Sequence, residues 1–353
     1  MTAPVAARRS STFLSSVGFT ERLFAGPADR ALARIIDDGL ERVESGLIHE
    51  MRFADEIADV TASYLFQAGG KRVRPMLTLL AGQLGDGVND RVILAAEAIE
   101  ITHLASLYHD DVMDDATQRR GVPSAQLVYG NAVAVLTGDL LFARASQLIA
   151  RLGERAIKLQ ADTFERLCLG QLHETVGPRP GDDPIEHYLR VLADKTGSLI
   201  ATAAQFGIVF SGAPAEFESA LLEYGENVGI AFQLRDDVID LSDDPATGKN
   251  AGTDLRAGVV TLPLLKLRGL ADSGDEAAAA LLAELEESVI GQPDAVDVSA
   301  GVARLRAHAV TRETHDEARA WAARAIAAIA VLPKGSVKKA LTRFAETVVE
   351  RNS

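Results

Sequence analysis

The chain has 353 residues, 47% hydrophobic but only 5% aromatic, a balance that favours many Ala- and Leu-rich helices over a β-sandwich core. Its formal charge of −14, from 36 Lys and Arg against 50 Asp and Glu, argues against nucleic acid as a partner. The single cysteine, Cys168, excludes an internal disulfide, fits a reducing compartment and reads as a small buried hydrophobe on a helix. In chain order, Met1 to Phe19 carries Arg8-Arg9 and several serines but no secretory apolar stretch, so residues 1–25 are expected to be a flexible lead-in. From Pro27 onward helical spacing dominates, beginning with the stripe Ala31, Ile35, Ile36, Leu40, Val43 and Leu47. Val92 to Asp114 reads as one long central helix, and Asn131 to Leu152 and Ile157 to Val176 as two more. The stretch from Gly177 to Pro184 is a break, with Pro184 suited to starting a helix and Asp182-Asp183 read as solvated loop acids. Helical sequence resumes over Glu186 to Phe210, Ala215 to Leu241 and Thr261 to Leu270, with a polar loop from Asp243 to Gly258. No run approaches the roughly 18 apolar residues needed to span a bilayer, and a cytoplasmic protein is expected. With no sustained β-alternation and no linker-like composition shift, the expectation is one all-α domain over residues 26–353.

Two clusters of the form Asp-Asp-x-x-Asp stand out within this pattern, at Asp110-Asp111-Val112-Met113-Asp114 and Asp236-Asp237-Val238-Ile239-Asp240. On a helix, residues i and i+4 share a face, so Asp110 lies over Asp114 and Asp236 over Asp240. Like charges at that spacing repel, and more strongly where water is scarce. A chain that builds this conflict twice inside apolar helices points to divalent cations. Magnesium reaches its protein through one or two carboxylates plus substrate phosphates, so a metal-bridged diphosphate site is the reading. The recurrence, one copy in each half, could bring two helices face to face across a cavity.

Cations for the rest of such a substrate are available. Gly69-Gly70-Lys71-Arg72-Val73-Arg74-Pro75 sets three beside two glycines, where backbone can approach an anion closely. Arg119-Arg120-Gly121 and Lys195-Thr196-Gly197 follow. A single basic trio is usually a solvated face; with both aspartate clusters the combination is specific.

These elements, with His103, Gly138-Asp139, Gly170-Gln171, Phe232-Gln233, Gly248-Lys249 and Gly252-x-Asp254-Leu255 in order between about residues 60 and 270, resemble the trans-isoprenyl diphosphate synthases, or polyprenyl synthetases. The resemblance implies an all-α helical bundle around a central elongation cavity. It implies magnesium, three ions per active site, held by Asp110, Asp114, Asp236 and Asp240, with Asp111 and Asp237 as further ligands or their supports. Arg119, Lys195, Thr196, Gln233 and Lys249 would hold an allylic diphosphate, and Lys71, Arg74, His103 and Arg120 the diphosphate of isopentenyl diphosphate. On this reading Asp110, Asp111, Asp114, Asp236, Asp237 and Lys195 carry the catalysis. A homodimer is implied, and a greasy product suggests transient contact with a membrane surface for its release. His109 is expected to pack or to support a ligand, and Asp139 reads equally well as a helix cap. The chain departs from the family's Gly-Lys-x-Thr-x-Pro segment at Gly258-Val259-Val260-Thr261-Leu262-Pro263, where Val259 replaces the lysine and puts one diphosphate contact in doubt.

Product length in the resembled family is limited by side chains below the first aspartate motif. Here those positions are Ala105, Ser106 and, one turn lower, Thr102, all small, with Ile99 and Ala95 deeper. A helical turn rises about 5.4 Å, similar to one isoprene unit. The expectation is a long-chain all-trans product of the kind that forms a quinone side chain (menaquinone). The alternatives are a farnesyl or geranylgeranyl synthase, a terpene cyclase, which would not need Lys71, Arg74 and Arg120, and a non-catalytic regulatory subunit, in which decayed aspartate motifs are expected.

Overall fold

A computed structural model describes residues 29–242, 251–292 and 299–350, and among these the regular elements are helices except for one two-residue ladder. The lead-in expected over residues 1–25 lies outside the described residues. In chain order, α1 (Arg30–Glu50), α2 (Glu56–Gln67), α3 (Val73–Gly82) and α4 (Asp90–Met113) precede strands β1 (Gln118–Arg119) and β2 (Val122–Pro123), which pair antiparallel. Then come α5 (Ala125–Tyr129), α6 (Asn131–Leu152), α7 (Glu154–Val176), α8 (Pro184–Leu192), a π-helical turn (Ala193–Gly197), α9 (Ser198–Ser211) and α10 (Glu216–Asp240). The last are α11 (Thr253–Arg256), α12 (Leu262–Asp272), α13 (Glu276–Ser288), α14 (Ser299–Ala307), α15 (Ala309–Ala328) and α16 (Ser336–Val349). They fall into two compact units: one holds the residues up to Phe164 with Leu199–Leu222 and Val331–Arg343, the other Glu165–Ser198, Glu223–Ala330 and the residues from Phe344.

In the first unit α4 is the core element, packed mainly on α6 and also on α3 and α1. It is apolar almost all round, which suits a helix enclosed by others: Val92, Ala96, Ile99, Leu104, Ala105 and Tyr108 are buried. Asn89 starts it by accepting the Val92 amide at 2.9 Å. The Tyr108 hydroxyl donates to the Thr61 carbonyl and accepts from Leu65 N at 3.2 Å, fastening α4 to α2. On α1 the buried stripe is Leu32, Ile36, Gly39, Val43 and Leu47, so Ala31 and Ile35, expected inside, face outward. α9 approaches α3 closely through Gly207, where a Cβ would lie 2.3 Å from the Thr78 carbonyl oxygen. Thr78 Oγ1 donates to the Ala203 carbonyl at 2.8 Å in the same contact.

Contrary to the sequence reading, α6 is long and apolar enough to cross a membrane by length and composition, with mean hydropathy 1.4. It lies instead along α4, and Arg144 in its second half bonds Glu50 of α1 at 3.0 Å.

In the second unit α12 to α15 enclose a leucine-rich core of Leu255, Leu264, Leu267, Leu281, Leu285 and Leu305. Pro184 opens α8 as expected, but Asp183 is no idle loop acid: its Oδ1 accepts Ile185 N at 2.7 Å and Glu186 N at 3.1 Å, capping the helix. The single helix expected over Glu186 to Phe210 is corrected to α8, the π-turn and α9.

Candidate active site

The first aspartate motif ends α4. Asp114 is the C-cap residue and its amide bonds the Asp110 carbonyl at 2.8 Å, so the i, i+4 relation read from the sequence holds at the backbone. The three carboxylates are not equivalent. Asp110 is half-buried and Asp114 exposed, whereas the Asp111 side chain is fully buried and meets both Nε and Nη2 of Arg119 at 2.6 Å. Burial raises the Asp111 pKa while the Arg119 charge opposes the rise. The short β1–β2 hairpin brings Arg119 there, with Arg120 turned through a left-handed backbone (φ 54°).

Arg120 donates to the Leu65 carbonyl at 3.0 Å and to that of Gly69, joining the hairpin to the glycine segment before α3. Gly70 holds φ 150°, a backbone that L side chains rarely adopt, and a Cβ would lie 2.6 Å from Arg72 Nη1. Of the three cations in Lys71-Arg72-Val73-Arg74, Arg72 is the structural one: it is buried, bonds Glu44 at 2.8 Å and Glu100 at 3.3 Å, and lies over the Phe66 ring. Lys71 is exposed and Arg74 half-buried. Burial, then the guanidinium groups of Arg74, Arg120, Arg119 and Arg72, hold the His103 imidazole well below its usual pKa, so it stands neutral among cations. This part of the first unit therefore brings Arg74 and Arg120 near His103, three residues the sequence reading grouped, and adds Arg119, which that reading set apart on the other diphosphate. Glu44 and Glu100 were missed, although a glutamate three residues before His103 on an apolar helix was a visible signal.

The second motif ends α10 in the other unit and repeats the pattern. Asp236 is half-buried, while Asp237 is buried and its Oδ2 accepts from the Tyr188 hydroxyl at 2.7 Å and from Leu262 N at 3.2 Å. Burial pushes the Asp237 pKa up to about 7 against these two bonds. Asp240, expected among the metal ligands, is buried; its Oδ2 accepts Asp254 N at 3.0 Å and its carbonyl accepts Gly252 N at 2.7 Å. Gln233 lies half-buried one turn before Asp236 and Asp237. Lys195 and Thr196 sit in the π-turn, where Lys195 Nζ meets Glu174 at 2.5 Å. Lys249 lies outside the described residues, and Val259, in place of the family lysine, is 45% exposed.

Among the described residues no three metal-ligating side chains gather tightly enough to hold an ion by themselves. Taken unit by unit, half-buried Asp110 with exposed Asp114 in the first and half-buried Asp236 in the second are of the kind that suits magnesium, which takes few protein carboxylates and fills its shell with water and phosphate oxygens.

The residues expected to govern product length, Ala105, Ser106 and Thr102, are all buried on α4. Thr102 Oγ1 accepts from Gln160 Nε2 on α7 at 2.8 Å, a partner the sequence did not reveal. His109 packs on the Phe142 ring, contacts the Val135 carbonyl at 3.0 Å and stands 3.4 Å from Asp139. Asp139 therefore lies mid-helix beside His109 and does not cap α6. Gly138 makes the approach possible, since a Cβ there would fall 2.3 Å from His109 Nε2. Cys168, expected to be buried, is exposed on α7.

Residues 55–292 match the family described as polyprenyl synthetase. The chain belongs to the polyprenyl synthetase family. It is 43% identical over 326 residues to the nonaprenyl diphosphate synthase of Mycobacterium tuberculosis, covering 92% of this chain and 96% of that one. The solved decaprenyl diphosphate synthase of Rhodobacter capsulatus is 34% identical and superposes with a TM-score of 0.79, over 92% of this chain and 98% of that one. The geranylgeranyl pyrophosphate synthase of Corynebacterium glutamicum, solved with calcium and isoprenyl diphosphate, is 39% identical with a TM-score of 0.77, over 92% and 98%. This polyprenyl synthetase is thus an all-α prenyltransferase, as its motifs implied.

Proposed function

We propose that this polyprenyl synthetase condenses isopentenyl diphosphate head to tail onto an allylic diphosphate and repeats the step to a long-chain all-trans polyprenyl diphosphate. The observation that carries the reading is the matched build of two whole aspartate motifs. In each, the middle carboxylate is buried and tied down, Asp111 by Arg119 and Asp237 by Tyr188 and Leu262 N, while the first is half-buried. A regulatory subunit has no need of two such anchored motifs.

Magnesium, when bound, neutralises charge that grows on the departing diphosphate as the allylic carbon–oxygen bond ionises. Asp110, Asp114 and Asp236 are the residues that would hold it, with Asp240 steadying the segment after α10. Lys195, Thr196, Gln233, Lys249 and Arg119 orient the allylic diphosphate, and preplaced cations favour the ionised state over the ground state. Lys71, Arg74, Arg120 and neutral His103 hold isopentenyl diphosphate, a set that a terpene cyclase does not require. Small, buried Ala105, Ser106 and Thr102 support extension past the farnesyl and geranylgeranyl lengths. Exposed Val135, Leu136 and Leu140 on α6 support a homodimer.

The test is incubation of the purified chain with farnesyl diphosphate, labelled isopentenyl diphosphate and magnesium. Label should pass into solvent-extractable prenyl products, and EDTA or Asp236→Asn should abolish the transfer. Release of diphosphate with no incorporated label would make the protein a cyclase. No turnover without an added partner chain would make it a subunit.

A further inference from the structure

The π-turn that carries Lys195 and Thr196 is held from two sides. On α7, Arg166, Gly170 and Glu174 recur every fourth residue and share one face. On α10, Glu226, Gly229 and Gln233 likewise share a face. Gly170 leaves no room for a side chain, since a Cβ would lie 2.8 Å from Lys195 N and 3.0 Å from Asp194 Cβ. Gly229 is equally tight, with a Cβ 2.5 Å from Gly197 Cα. Arg166 joins the two sides: its Nε donates to Asp194 Oδ1 at 3.0 Å and its Nη1 to Glu226 Oε1. The turn therefore stands in a slot whose walls are glycines and whose edge is an ion triad.

We propose that Arg166 is a positioning residue for Lys195 and Thr196, and that through Asp194 and Glu226 it fixes the register in which they meet the allylic diphosphate. This rests on the assignment of those two residues to that substrate. A π-turn inserts one residue into an α-helix, and such insertions recur at functional sites. If the extra residue relaxed into regular α-helix, every later side chain would rotate by about 100° relative to those before it. The triad opposes that relaxation, since Asp194 is the second residue of the turn and Glu226 is one helical turn before Gly229. Lys195 would otherwise lose both its place beside Glu174 and its aim. Neither Arg166 nor Glu226 belongs to the motifs that identify the family, so their part becomes visible only once the three elements are placed.

The experiment measures KM for each substrate separately in Arg166→Met, with amide hydrogen exchange over residues 193–199. The variant should raise the allylic KM on the order of 10-fold, leave the isopentenyl KM unchanged, and speed exchange in the turn. In a Lys195→Ala background the same change should add little, because both act on one contact. Equal rises in both KM values, no rise in either, or a full additional rise in the Lys195→Ala background would each overturn the proposal. If Arg166→Met does not fold, Asp194→Asn, which removes one charge from the triad, is read by the same criteria. A wild-type chain that consumes no allylic diphosphate would instead defeat the prenyltransferase reading itself.

Discussion

Asp111 and Asp237 occupy the same position in their motifs and are fixed by unrelated partners, a hairpin arginine in one case, a tyrosine hydroxyl and a backbone amide in the other. A carboxylate anchored in this way orients the helix end beneath it, and its neighbours can then present oxygens to a cation without first being ordered. That these residues stand apart is legible in the sequence, because charges stacked on an apolar helix need an explanation. Which of the three face inward was not, since it depends on the hairpin and on Tyr188, 49 residues away. Cys168 shows the same limit in reverse: burial depends on which side of α7 meets the core, and a lone cysteine does not reveal it. Product length belongs to this scale too. Ala105 is fully buried on α4, so Ala105→Phe should place a ring in the path of the growing chain at a packing penalty of about 1–3 kcal/mol. Mass spectrometry of the products should show them shortened to the farnesyl or geranylgeranyl class, and an unchanged distribution would refute the floor model.

Helix boundaries follow the apolar pattern closely: Asn131–Leu152 stands as the sequence predicts, and α4 and α10 lie within two residues of their expected ends. The π-turn was not legible. An inserted residue leaves helical composition intact, and its stabilising contacts come from Gly170 and Gly229 in other helices. Close helix contacts through glycine have a measurable consequence elsewhere. Gly207→Ala would drive a methyl group into the Thr78 carbonyl, and α9 and α3 cannot part without breaking the bond from Thr78 to Ala203. Thermal or denaturant unfolding should show a loss of at least about 2 kcal/mol. Gly335, where a Cβ meets nothing within 4 Å, is the control, and its alanine variant should unfold near the wild-type midpoint.

For the whole molecule, charge and shape bear on different questions. The excess of acids, 50 against 36 bases, argues against nucleic acid as a partner. Leu136 and Leu140 are 61% and 39% exposed on a helix otherwise rich in buried apolar residues, which is the kind of face a second copy covers. Size-exclusion chromatography with light scattering should report a dimer for the wild type. Leu136→Glu with Leu140→Glu should give a monomer of unchanged helical content; a dimer surviving that change would place the interface elsewhere. The central claim is more direct: the protein alone builds long prenyl chains. Purified enzyme given farnesyl diphosphate, excess isopentenyl diphosphate and magnesium should yield all-trans products well beyond geranylgeranyl diphosphate, resolved by mass after dephosphorylation. Products that stop at farnesyl or geranylgeranyl length under the same excess would contradict it.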